Sequence, residues 1–289
     1  MNQPAPTIAD LLAAASVEIT SRDDIGGLAE LLPPGTDIYV GFLPRDDYRR
    51  NAAIAAELRS AGFNPVVHVP VRQFARIADI DDYLARLRGE ARVERVLGIA
   101  GDLFAPRGSV GSTMQLVESG LLQKHGVKTI EFAGHPEGHP YLSEPAGFEI
   151  LSAKVAAARL GGLRVGAVSQ FCFSAAPIVT WLRELAARGL DIELRIGIAG
   201  PANPVSLVKF ALRCGVGNSL SVMQKNANRM TRLAVDANPD EVVFDVGRAL
   251  TALPGSRVAC FHFFPFGGLA KTARWIRSAL RRVETPALP

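Results

Sequence analysis

The sequence has little cysteine, little lysine and no long apolar run. Only three cysteines, Cys172, Cys214 and Cys260, stand among 289 residues. Their number is odd, their spacing wide, and no CxxC pair occurs. That excludes a disulfide framework and a zinc cluster, and predicts buried thiols in a reducing compartment. No apolar stretch approaches the roughly 18–20 residues of a membrane span. Met1 to Asp10 has no basic segment followed by an apolar core. No secretory leader is therefore expected, and the chain reads as cytoplasmic with no membrane partner. Six of the 32 basic residues are lysine, and the net charge of +4 is modest. The arginines are scattered except for Arg274, Arg277, Arg281 and Arg282 on one amphipathic stretch. A solvated helix face accounts for that group more simply than a nucleic-acid footprint, so no nucleic-acid partner is expected.

What is present is an ordinary globular composition, 48% hydrophobic and 21% charged, with 27 Gly and 19 Pro. It excludes disordered, collagenous and coiled-coil chains. The length suits two small domains or one α/β barrel of about 250 residues. Short apolar runs at 16–19, 37–42, 65–70, 95–99, 129–133, 164–170, 193–198 and 257–261 predict eight strands. Several are continuous rather than alternating, as in parallel strands covered on both faces. Helical patterns fall at 48–61, 80–88, 111–124, 176–188, 204–214, 218–235, 239–253 and 268–282. Gly62, Gly189 and Gly215 lie just past predicted helix ends, where glycine is the usual stop signal. Most strand-to-strand intervals have the size of a βαβ unit, and the longer last interval holds two or three helices. The prediction is one α/β domain over residues 1–289, a single (β/α)8 TIM barrel with extra helices before the last strand. A doubly wound open sheet is the alternative, but no GxGxxG follows the first strand. The Pro-rich tips at 2–6 and 285–289 are expected to fray.

In a barrel, chemistry sits at the C-terminal ends of the strands. The polar residues placed there are Glu18, His68, Gly101, Asp102, His135, Glu137, His139, Gln170 and His262. Each has a structural alternative. For Glu18 the alternative is a structural arginine partner, and for Asp102 an N-cap or turn role, with function the favoured reading of both. His68 and His262 also suit a satisfied core, and Gln170 a backbone bond. His135 and His139 have a metal-like spacing, yet Pro136 and Pro140 break the helix that would put both on one face. A metal-dependent hydrolase built on His68, His135, His139 and Asp102 is the weaker alternative, and no metal is expected. No Walker loop and no GxSxG elbow appear, so nucleophilic catalysis has no support. Carboxylates, an amide and histidines around a barrel mouth suit a polar heteroaromatic ligand. A buried glutamate can hold a proton near neutral pH and deliver it to a leaving nitrogen.

The ordered series Ser16-Val17-Glu18, Val67-His68-Val69, Gly101-Asp102, Ala133 to Pro140, Ser169-Gln170-Phe171, Gly197-Ile198 and Phe261-His262-Phe263 resembles the methylenetetrahydrofolate reductase family. The match runs from about residue 16 to 280. The segments Pro136-Glu137-Gly138-His139-Pro140 and Ser169-Gln170-Phe171 carry most of its specificity. The resemblance implies a flavin-dependent TIM barrel in which FAD passes a hydride from NADH or NADPH to 5,10-methylenetetrahydrofolate. It implies catalytic roles for Glu18, the general acid toward a folate nitrogen, and Asp102, a carboxylate near flavin and pterin. Gln170 and Phe210 would contact substrate. His68, Gly101, Asp102, His135, His139 and Lys154 would contact FAD. The expected small partners are folate and NAD(P)H, and the chain is compatible with a homo-oligomer. The chain departs from the family after the first strand, at Ile19-Thr20-Ser21-Arg22. It departs again at Ala100 for an arginine, at His135 for a tyrosine, and at Phe264-Pro265-Phe266-Gly267-Gly268. Several residues also look inserted between Lys154 and Gln170. A flavin-independent folate-binding barrel, a methyltransferase or an accessory protein of one-carbon metabolism, is the alternative those departures suggest.

Overall fold

The computed structural model describes residues 5–139, 141–214, 237–253 and 255–284. The predicted helix at 218–235, the Cys214 side chain, Pro140, and the tips 2–4 and 285–289 lie outside these residues. Eight parallel strands are hydrogen-bonded in chain order into a closed barrel, with helices between them: a (β/α)8 TIM barrel, as the sequence predicts. The strands are β1 (Ser16–Ile19), β2 (Asp37–Val40), β3 (Asn64–Pro70), β4 (Arg95–Ile99), β5 (Thr129–Gly134), β6 (Arg164–Ser169), β7 (Glu193–Ala199) and β8 (Val258–Phe264). Closure is made where Ser16 and Val17 pair with His262 and Phe263. The chain forms two compact units. The first comprises residues 1–17, 134–148 and 168–289, and the second 18–133 and 149–167.

In the second unit the register sets which side chains share a face. His68 pairs with Leu97, and Leu97 with Glu131. Their neighbours Val67, Val96 and Ile130 form the opposite row and are fully buried. Strands with apolar residues on both faces need helices outside, and two amphipathic ones supply them. Helix α3 (Tyr48–Ser60) is capped by the Asp47 carboxylate, which accepts from the Arg49 N–H, and it buries Ala52, Ala55 and Leu58. Helix α4 (Ile77–Ala91) buries Ile80, Tyr83, Leu84 and Leu87, an i, i+3, i+4, i+7 stripe. It ends on Arg92 in the left-handed conformation at φ 51°.

The longest strands of the first unit are β7 and β8, paired from Leu194–Val258 to Ala199–Phe264 with one register shift between Leu194 and Arg195. Two helices close this unit. Asp240–Leu250 buries Val242, Val243, Val246 and Leu250, and Leu269–Glu284 buries Ala273, Ile276 and Ala279. Asp240 ties them together, accepting from Trp275 Nε1 at 3.1 Å and from Arg282 at 2.6 Å. The arginine group noted in the sequence is thus partly an ion-pairing face of this helix. No helix among the described residues is long and apolar enough to cross a membrane.

Candidate functional site

In the second unit, Glu18 is the third residue of β1 and reaches across β2 to His68 on β3. Glu18 Oε2 lies 3.3 Å from His68 Nε2, with side-chain exposures of 20% and 10%. The two atoms approach without the alignment of a hydrogen bond, and Nε2 has no hydrogen-bond partner among the described residues. Gly41 follows β2, and its N–H donates to the Ile19 carbonyl at 2.7 Å. A Cβ on Gly41 would press on that carbonyl at 3.2 Å and would meet Glu18 Oε1 at an ordinary contact distance of 3.4 Å. The missing side chain thus serves the close backbone approach beside the carboxylate. Glu18 and His68 are each visible in the sequence, but Gly41 carries no polar signal there.

Gly101 and Asp102 follow β4. Gly101 adopts φ 92°, the left-handed region that glycine enters without steric cost. A Cβ there would press to 3.0 Å from the Pro70 Cβ. Asp102 is exposed, on a loop that a residue missed in the sequence holds in place. The Arg72 guanidinium donates to the carbonyls of Gly111, Leu103 and Phe104 at 2.9, 3.3 and 3.4 Å. The Arg72 N–H donates to the Ala100 carbonyl at 3.1 Å. Lys154 stands on α7 (Glu144–Leu160) with its ammonium 5.6 Å from the centre of the Phe132 ring. It makes no ion pair among the described residues, and burial lowers its affinity for the proton.

The interior of this unit also carries a charged cluster that sequence reading did not find. The Tyr39 hydroxyl donates to Glu131 Oε2 at 2.5 Å. Arg95 lies 2.8 Å from Asp37 Oδ2 and 3.9 Å from Glu131 Oε1. Glu131 has no exposed surface. In the sequence Glu131 lies between Ile130 and Phe132 in a strand that reads as apolar.

In the first unit, His135 and His139 come together with ring centres 4.7 Å apart and nearly perpendicular. Gly138, at φ 88°, makes the turn between them, and its N–H donates to the His135 carbonyl at 3.0 Å. His139 Nδ1 accepts from the Tyr141 N–H at 3.1 Å, so one ring nitrogen is engaged. Gly134, which opens this loop, is where the ring edge of Trp181 seats. A Cβ there would fall 2.5 Å from Trp181. The Gln170 N–H donates to the Gly134 carbonyl at 2.8 Å, tying the two specific motifs backbone to backbone. Burial pushes the Cys172 thiol up, and the Glu137 carboxylate adds to the shift, so Cys172 is an unreactive core thiol. His262 is fully buried. It meets Ser16 Oγ at 2.9 Å through Nδ1 and packs edge-on against Phe264. Phe210, on α9 (Pro204–Cys214), stacks on Phe266 at 4.2 Å and 15°. Phe266 in turn meets Phe171 edge-on at 4.8 Å.

Among the described residues, no group of three or more His, Cys, Asp or Glu side chains could hold a metal ion. A comparison of the sequence with protein-family models finds no match.

Proposed function

We propose that this chain is a flavin-dependent oxidoreductase that reduces 5,10-methylenetetrahydrofolate to 5-methyltetrahydrofolate with electrons from NAD(P)H. The observation that carries the reading is the Glu18–His68 pair near the C-terminal ends of β1 and β3. A largely buried carboxyl with a histidine at 3.3 Å suits a proton donor.

Bound FAD would supply hydride relay between nicotinamide and folate, which no side chain offers. The second unit fits such a group. Lys154 presents a half-buried ammonium with no ion pair among the described residues, suited to a phosphate. His68 Nε2 is a buried polar atom without a hydrogen bond. Glu18 would give its proton to the folate nitrogen whose bond to the methylene carbon breaks. The carboxylate left behind stays in contact with His68, and solvent then restores its proton. Asp102, on the loop pinned by Arg72, would orient folate. Gln170, His135 and His139 keep the contacts that the family resemblance gives them. Phe210 already has Phe266 on one face, so a substrate would stack on its other face.

Glu18→Gln keeps the shape and removes the proton. Folate reduction should fall by about 10²–10⁴-fold, while anaerobic NAD(P)H still bleaches the flavin spectrum. Loss of both half-reactions, or of neither, defeats the assignment of Glu18. A purified protein that stays colourless after FAD is added, yet binds folate, would replace this reading with the flavin-independent one.

A further inference from the structure

The end of the second unit away from Glu18 and His68 carries a cleft of about 470 Å³. Asn64, at its rim, precedes His68 by four residues of β3, about 13 Å along the strand. Four arginines from four different elements line it: Arg59 at the end of α3, Arg92 at the end of α4, and Arg95 and Arg164 at the starts of β4 and β6. The only acid among the lining residues is Glu94, and it is already engaged by Arg88 and Lys128, each at 2.8 Å.

Two of the guanidiniums are fixed in place. Arg59 donates to the Ala91 carbonyl at 3.0 Å and to Asn64 Oδ1 at 2.8 Å. Asn64 in turn donates to the Gly35 carbonyl at 2.7 Å. Arg95 is held by Asp37 at 2.8 Å. The other two, Arg92 and Arg164, are exposed and make no hydrogen bond or ion pair through their guanidiniums among the described residues. A solvated surface would explain one such arginine. It does not explain Arg92, whose left-handed φ of 51° is the only such value on a non-glycine residue among the described residues. Glycine would occupy that helix end at lower cost. Helix C-termini oppose anions with about half a negative charge each. The two helix ends here therefore cancel about one of the three guanidinium charges, on Arg59, Arg92 and Arg164, that face no acid.

We infer that this cleft is a binding site for a small polyanion bearing phosphate or carboxylate groups. The volume suits a small metabolite. Arginine presents a planar fork that matches both anion types. The site is independent of the proposed reductase chemistry, which belongs to the other end of the strands.

The test is calorimetric titration of the full chain with inorganic diphosphate and, separately, with citrate, alongside thermal melting. Sodium chloride at matched ionic strength is the control. Arg92→Gly with Arg164→Gln is the informative variant, since glycine suits the backbone at 92 and neither guanidinium supports the fold. Saturable binding of either anion, weakened about a hundredfold in the double variant, is expected, at about tenfold for each charge-assisted partner lost. Preference for diphosphate or for citrate identifies the ligand as a phosphate or a carboxylate. The inference is overturned if neither anion binds, if the double variant binds as well as the parent, or if chloride reproduces the melting shift.

Discussion

The two units solve the problem of a filled barrel with different chemistry. The second carries charge inside: Asp37, Arg95, Glu131 and Tyr39 in one cluster, Glu18 and His68 in another. The first packs Phe171, Phe173, Phe210, Phe264 and Phe266 against Ala199, Ala202 and Leu207. A buried charge is tolerable only with its partner in place, whereas an aromatic cluster needs volume and ring orientation. The charged interior should therefore be intolerant of losing one group and indifferent to packing volume. The aromatic one should behave the other way round.

The sharpest way to break that contrast is Arg95→Met. It keeps much of the side chain's bulk but removes the guanidinium that holds Asp37 and the fully buried Glu131. A loss of about 3 kcal/mol in chemical denaturation is expected. A near-neutral result would show that shape, not charge, specifies this unit too. Phe171→Leu in the other unit changes shape while keeping an apolar side chain, and should cost about 1 kcal/mol. A loss as large as that of Arg95→Met would erase the distinction. The smallest effect is at the surface of the charged unit. Asp81 takes hydrogen bonds from His125 at 2.5 Å and Lys124 at 2.7 Å. His125 first and Lys124 second hold its carboxyl below the ordinary 3.8. A carboxyl whose folded value is depressed contributes stability above its unfolded value and loses it as pH falls through the folded one. Melting temperature should therefore drop below about pH 3.8, and Asp81→Asn should flatten that limb slightly. An unchanged profile would mean that the pair is solvated away.

The strands were largely legible because continuous apolar runs bounded by polar residues are hard to hide. β1 and β4 have the bounds that the sequence predicts. β8 runs to Phe264 instead of ending at 261, since the phenylalanine run continues the strand past the predicted stop. Helix α7 was not predicted. Its sequence, rich in alanine with apolar residues on several sides, gives almost no helical periodicity to read. The pattern at 111–124 contains two helices, Thr113–Glu118 and Leu121–Lys124, because Gly120 turns left-handed at φ 73° between them. The short helix Ile8–Ala13 was also missed, although Thr7 and Asp10 form a capping box at its start.

The candidate site was legible residue by residue but not as geometry. Glu18, His68, His135 and His139 are conspicuous as polar residues at strand ends. That Glu18 meets His68 depends on how β1 and β3 stand on either side of β2, and that Asp102 sits on a fixed loop depends on Arg72. The first is a matter of strand placement, and the second of bonds to carbonyls that every residue has. Neither leaves a mark in composition or spacing.

Gly134 and Trp181 amount to one inherited decision rather than two. The ring edge occupies the space of a missing methyl, so a lineage that enlarges residue 134 must first shrink residue 181, and a smaller residue at 181 opens a hole under the histidine loop. Drift at either position alone is closed off. Relatives of this chain should change the two together or not at all.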